Sequence, residues 1–109
     1  MRKSELLKGI TEMVILTFLQ SKDMYGYELT EKIEKESEGY LRMKEGTLYP
    51  ALKKLEGRGL IQSYWKESRE GPRRKYYHLT EEGNKELNDQ KKEWSYFQSM
   101  LIKLLFYSG

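Results

Sequence analysis

At "EGRGL" (residues 56–60) the hydrophobic period of the chain switches from helical to alternating, and that switch narrows the fold more than any other feature. Before it, at about 100° per residue, Leu48, Ala51, Leu52 and Leu55 gather on one side of a helix expected over Glu45 to Gly57. Gly46, Tyr49, Pro50, Lys53 and Lys54 gather on the other side. A proline is tolerated where backbone N–H groups lack intrahelical partners, so Pro50 is expected in the first turn, with the helix starting at Glu45 to Thr47. Tyr49, just before the proline, is pushed away from helical geometry, yet helix remains the better reading. Gly57 and Gly59 end it, with Leu60 placed to fold back on the last turn. Beyond them, "LIQSYWK" and "RRKYYHL" are aromatic and β-branched, with "ESREGP" as the turn between them. They predict a two-stranded antiparallel hairpin with a basic tip.

Two helices are expected upstream. Leu6, Ile10, Met13, Val14, Thr17 and Phe18 recur at helical spacing from Leu6 to Gln20, and Ile15, Leu16 and Leu19 widen the apolar stripe. A second helix follows from Tyr25 to Ser37, with a thin apolar side of Tyr25, Leu29 and Ile33, and Gly39 closes it. Downstream, Thr80 is a suitable N-cap, and Glu81 and Glu82 suit the positive end of a helix dipole. That last helix extends to Phe106, about 40 Å at 1.5 Å per residue. The fold class is therefore mainly α with a small β-hairpin. Three helices and then a hairpin is the order of a winged helix-turn-helix, here over residues 1–80, and residues 81–109 form a long C-terminal dimerisation helix.

The 109 residues suit one domain with a modest core. There are no cysteines, hence no disulfide framework and no thiolate site. "MVILTFL" and "MLIKLLFY" are far shorter than the roughly 20 residues of a membrane span. With no signal peptide evident, a cytoplasmic location and no membrane partner are expected. The net charge of +3 conceals a segregation. Arg42, Lys44, Lys53, Lys54 and Arg58 outnumber Glu45 and Glu56, and Lys66, Arg69, Arg73, Arg74 and Lys75 outnumber Glu67 and Glu70. The segment from Ser21 to Gly39 is acidic instead. Basic segments with interleaved aromatics point to a polyanion partner.

In a winged helix the third helix lies in the major groove and the hairpin reaches the backbone or the adjacent minor groove. Lys44, Lys53, Lys54, Arg73, Arg74 and Lys75 are candidates to neutralise phosphates. Tyr49, beside Pro50, can donate to a phosphate or stack on a sugar or thymine methyl. Gly46 and Thr47 leave backbone N–H groups free at the helix start. A module binding protein rather than DNA is the alternative, but its face would be apolar or acidic. His78, the single histidine, reads as a satisfied strand residue, because no Cys or second His joins it as a metal ligand. No nucleophile–base pair, phosphate loop or metal spacing occurs, so no metal, cofactor or enzyme is expected.

"YGYEL", "EGTLYPALKKLEGRGLI", "SYW" and "GPRRKYYHLTEEG" together resemble the PadR family of bacterial transcriptional regulators, in order from Tyr25 to Gly83. The resemblance implies a homodimer on double-stranded promoter DNA, acting as a repressor released by a ligand or stress signal. It makes Tyr49 and its neighbours the DNA readers and Arg73 to Lys75 the wing contacts. Leu87, Trp94, Phe97, Leu101 and Leu104 recur, with Gln90, at heptad spacing and form the expected dimer stripe. Trp94, flanked by Lys91 and Gln98 and facing Leu7, Ile10 and Val14 of the first helix, is placed to line a ligand site. Some drug-sensing members of the family hold flat aromatic ligands between tryptophans at the matching position, which implies a small planar aromatic ligand here. Simple aromatic packing is the competing reading.

Overall fold

The structure, a computed structural model, describes residues 9–109, so Leu6 and Leu7 lie outside the described residues. The described elements run α1 (Thr11–Ser21), β1 (Met24–Tyr25), α2 (Gly26–Glu36), α3 (Glu45–Gly57), β2 (Ile61–Ser68), β3 (Gly71–Leu79) and α4 (Glu81–Leu105). Apolar residues at helical spacing bring the elements together. Ile15, Leu16 and Leu19 of α1 meet Leu29 of α2, Leu48, Leu52 and Leu55 of α3, and Leu60, Ile61, Tyr77 and Leu87 from the rest of the chain. This single core fixes the winged helix-turn-helix arrangement.

The expected hairpin forms, but it belongs to a three-stranded antiparallel sheet of order β1-β3-β2. Met24 and Tyr25 pair with Tyr77 and Tyr76 on the open edge of β3. A two-residue strand has no period to read. It exists because the edge of β3 offers its backbone groups hydrogen-bond partners. As a result α2 begins at Gly26 rather than Tyr25, and Tyr25 leaves the side formed by buried Leu29 and Ile33. Its ring instead meets Tyr76 edge-on at 5.4 Å.

The end of α3 follows the sequence closely. Gly59, at φ 74°, donates its N–H to the Glu56 carbonyl, and Leu60 donates to the Leu55 carbonyl, each at 3.0 Å. This Schellman pair turns the buried Leu60 back onto the helix. The same pair closes α2, but one residue early. Glu38 (φ 53°) takes the left-handed position expected of Gly39 and donates to the Lys35 carbonyl, while Gly39 donates to Glu34. Pro50 also departs from expectation: it lies inside α3, in the second turn rather than the first. The carbonyl it leaves without a helical partner belongs to Gly46, which is exposed and has open space where a Cβ would stand. Water can therefore satisfy that carbonyl, and the ring is accommodated.

Thr80 caps α4 as expected, accepting from the Gly83 N–H at 3.0 Å while donating to the Gly59 carbonyl at 2.8 Å. One side chain thus ties the end of α3 to the start of α4. A Cβ on Gly83 would collide with the Leu60 carbonyl oxygen and stand 2.7 Å from Leu79 Cδ1, so only glycine lets the helix seat here. The first turns of α4 pack on α1 and bury Leu87 completely. Leu87 is therefore a residue of the protomer's own core and not part of an exposed dimer stripe, since it has no surface left to offer. The rest of α4 projects, and the molecule is 62 Å in its longest dimension.

Candidate nucleic-acid interface

Burying Leu48, Leu52 and Leu55 turns the opposite side of α3 to solvent. Lys44, its N-cap, and Gly46, Thr47, Tyr49, Pro50 and Lys53 are all exposed there. Tyr49 is held as well as exposed. Its ring and hydroxyl lie over Gly26 at the start of α2, where a Cβ would overlap the hydroxyl and stand 2.9 Å from Cζ. The glycine of "YGYEL" therefore lets the two helices of the motif share one tyrosine. Lys54 behaves differently from Lys53. Its Nζ lies 3.5 Å from Glu12 of α1, which also holds Arg58 at 3.4 Å. Arg58 reaches on to Glu86 of α4 at 3.6 Å. Lys54, exposed like Lys53, thus joins an ion network with α1 and α4, which sets it apart from its neighbour.

The wing carries its cations on two faces. Strand alternation sends Arg73 and Lys75 to the side of Ile61 and Tyr77, the side that packs on the helices. There Ser63 Oγ donates to Glu56 of α3 at 2.5 Å. The Arg73 guanidinium lies 5.0 Å from the Trp65 ring, and Lys75 Nζ lies 6.0 Å from the Tyr77 ring. Arg74 points the other way, 4.6 Å over Tyr25, while Lys66 lies 5.2 Å over Tyr76. Arg73 to Lys75, expected as wing contacts, are thus divided between the two faces of the hairpin.

On this outer face Tyr64 stacks on Tyr76 at 5.8 Å. Asp23, in the turn before β1, accepts from the Tyr64 hydroxyl at 2.5 Å and binds His78 Nδ1 at 2.8 Å. Partial burial pushes the Asp23 carboxyl up, but the bonds from Tyr64 and His78, with the charges of His78 and Lys66, win and hold it below the usual carboxylate range. The bond to Asp23 pushes the Tyr64 hydroxyl up to about 12. His78 is thus a satisfied strand histidine with Asp23 as its partner. No group of three or more His, Cys, Asp or Glu side chains suited to a metal occurs among the described residues.

A second open region lies where α1 meets the projecting part of α4. Gly9, Ile10 and Met13 face Gln90, Glu93, Trp94 and Phe97 across a shallow groove of about 520 Å³. Of the residues expected around a ligand, Ile10 and Trp94 meet here. Val14, Lys91 and Gln98 do not line the groove, and Lys91 donates to Gln20 at 3.4 Å instead. Met13, Gln90, Glu93 and Phe97 take those places, and the Phe97 ring is 5.7 Å from Trp94. Gln90 and Phe97 lie four and three residues from Trp94, and that spacing was the available signal for those two. Farther along, Leu101 and Leu104 are exposed, Leu104 at 74%, as are Ile102, Leu105, Phe106 and Tyr107.

Residues 15–89 match the transcriptional regulator PadR-like family. An uncharacterised protein of Lysinibacillus sphaericus is 34% identical over 95 residues, 87% of each chain. A transcriptional regulator from Clostridium thermocellum has a TM-score of 0.86 at 34% identity, covering 96% of this chain and all of that one. A PadR-like transcriptional regulator from Bacillus cereus gives 0.82 at 36%, with the same coverage. A PadR family transcription regulator from Clostridium difficile gives 0.78 at 40%, over 89% of this chain and 99% of the other. Among the described residues no helix is long and apolar enough to cross a membrane.

Proposed function

The chain belongs to the PadR-like family of transcriptional regulators, and we propose on that premise that it is a cytoplasmic, ligand-responsive repressor acting as a homodimer on a palindromic operator. The carrying observation is the solvent face of α3, where Gly46, Thr47, Tyr49, Pro50 and Lys53 stand open between the Lys44 cap and the wing. Such a face offers a cation and hydroxyls to DNA at a helix start, although the Thr47 N–H, expected to be free, donates to the Lys44 carbonyl at 2.9 Å. A protein-binding module would present an apolar or acidic face there.

In this reading residues 1–80 contact DNA and residues 81–109 pair two copies. The exposed Phe97, Leu101 and Leu104 form the pairing stripe together with Trp94, which is 39% exposed. A contiguous apolar stripe of this kind is a liability in a monomer. Pairing through α4 would bring two Trp94 grooves together, and their aromatic walls suit a small planar aromatic ligand. Binding there would alter the spacing of the two α3 helices and so release the operator. Half-sites are then about 34 Å apart or a multiple of that. Selection of bound duplexes from a random pool tests the reading, with light scattering at micromolar concentration. It requires an enriched inverted repeat and a dimeric mass. A monomeric mass, or a pool with no enriched repeat, overturns it.

A further inference from the structure

The division of the wing cations between two faces has a consequence for how a hairpin could meet a duplex. Arg73 and Lys75 stand with Trp65 and Tyr77 on the side of α3, and Lys66 and Arg74 stand with Tyr25 and Tyr76 on the outer side. The register places Lys66 opposite Arg74 across the strands, whereas Arg73 and Lys75 stand two residues apart on β3, with Trp65 opposite Lys75. Each of the four rests on an aromatic ring. Cation–π contact orients a guanidinium or ammonium without neutralising it, so the charge stays available to an anion. Among the described residues none of the four forms an ion pair with a carboxylate, unlike Lys54 and Arg58. Asp23 is the carboxylate that bears on Lys66, and its oxygens already accept from Tyr64 and His78.

A ribbon charged on both faces is poorly matched to a flat anionic surface, which could use only one side. It matches a cleft with two anionic walls. The minor groove is such a cleft, about 6 Å wide between two phosphate strands. Cations on opposite faces of a ribbon point in opposite directions, so the sheet can stand at the rim between the two strands with only the turn at Arg69 and Glu70 directed into the groove.

We infer that the wing straddles the minor groove and grips both of its phosphate walls, Arg73 and Lys75 on the wall nearer α3 and Lys66 and Arg74 on the opposite wall. This rests on the DNA-binding reading and adds to it Lys66 as a contact, a two-walled grip and an aromatic support for each cation. Trp65, Tyr77, Tyr25 and Tyr76 act as positioning residues: they set the cations and are not themselves readers of sequence.

The test compares two double variants, Arg73→Ala with Lys75→Ala and Lys66→Ala with Arg74→Ala, and the quadruple variant. The probe is a duplex selected by the unaltered protein and extended with mixed sequence on each side. Each phosphate contact contributes about 0.9 to the slope of log affinity against log salt. Each double variant should therefore lose about 1.8 and the quadruple variant about 3.6. Ethylating single phosphates on one strand at a time should lose its effect on one strand for one double variant and on the other strand for the second. Lys66→Gln with Arg74→Gln, which keeps side-chain length, must lose the same slope, and it decides the matter if the alanine pair does not fold. An outer-face variant with the slope of the unaltered protein, or a quadruple variant losing no more than the inner pair, overturns the two-walled grip and leaves DNA binding intact. An unaltered protein whose duplex binding does not depend on salt overturns both.

Discussion

The two ends of this molecule are open for different reasons. At the α3 end several exposed functional groups are held by specific contacts within the chain: Tyr49 over Gly26, Arg74 over Tyr25, Arg73 over Trp65, Asp23 with Tyr64 and His78. At the far end of α4 the exposed groups from Leu101 to Tyr107 are apolar except for Lys103, and lie beyond the part of the helix that packs on α1. One end is preorganised and cationic, suited to a polyanion whose shape is already set. The other is a bare apolar stripe, suited to a second copy of the same stripe. The contrast runs along α4 itself, where Leu87 is enclosed by the core and Leu104 is 74% exposed on the same helix.

Leu87→Ala is the severest way to probe that contrast. Emptying a fully buried leucine site costs about 2–5 kcal/mol, so thermal or urea unfolding should show a large loss. A loss below about 1 kcal/mol would mean that α4 is not seated in the core. Gly26→Ala should cost about 1–3 kcal/mol, because the new methyl displaces the Tyr49 ring from the joint of α2 and α3. Adding Tyr49→Ala should recover part of that loss, and an unrecovered loss would place the strain elsewhere.

The Asp23 cluster predicts a smaller effect with a defined sign. Its folded carboxyl titrates below the ordinary value of 3.8, so its contribution is present above that pH and is lost as pH falls through the lower folded value. Asp23→Asn should therefore flatten the acid limb of stability against pH below about 4 while leaving the neutral region nearly unchanged in slope. An unaltered acid limb would mean that the cluster does not hold β1 to the wing. Leu104→Glu should be the mildest for the fold, within about 0.5 kcal/mol for an exposed site, yet shift the mass in light scattering toward the monomer. Lost stability without a change of mass would show that this end is seated within the protomer.

The same contrast decides what could be read without a structure. The α3 helix was legible because Leu48, Leu52 and Leu55 share one face and Gly59 supplies the left-handed turn after it. The hairpin was legible from the change of period at Leu60. Strand β1 was not, because Met24 and Tyr25 become a strand only through Tyr76 and Tyr77, some fifty residues away. Gly26 was missed for the same reason: its need arises from a ring on another helix. Two signals were present and not used. Alternation already sets Arg74 apart from Arg73 and Lys75, and a helical wheel sets Lys54 about 140° from Tyr49. The α4 stripe shows the converse limit. Leu87 and Leu104 share a spacing, and nothing local distinguishes a leucine facing its own core from one left for a partner.

Lys53 and Lys54 are neighbours with equal formal charge, and only Lys54 is paired with Glu12. The direct test of a DNA-reading α3 face is therefore the salt dependence of duplex affinity for Lys53→Ala and Lys54→Ala beside the unaltered protein. The account predicts that Lys53→Ala lowers the log–log slope by about 0.9, one phosphate's worth, while Lys54→Ala changes it little. Equal losses from the two, or a greater loss from Lys54→Ala, would contradict it.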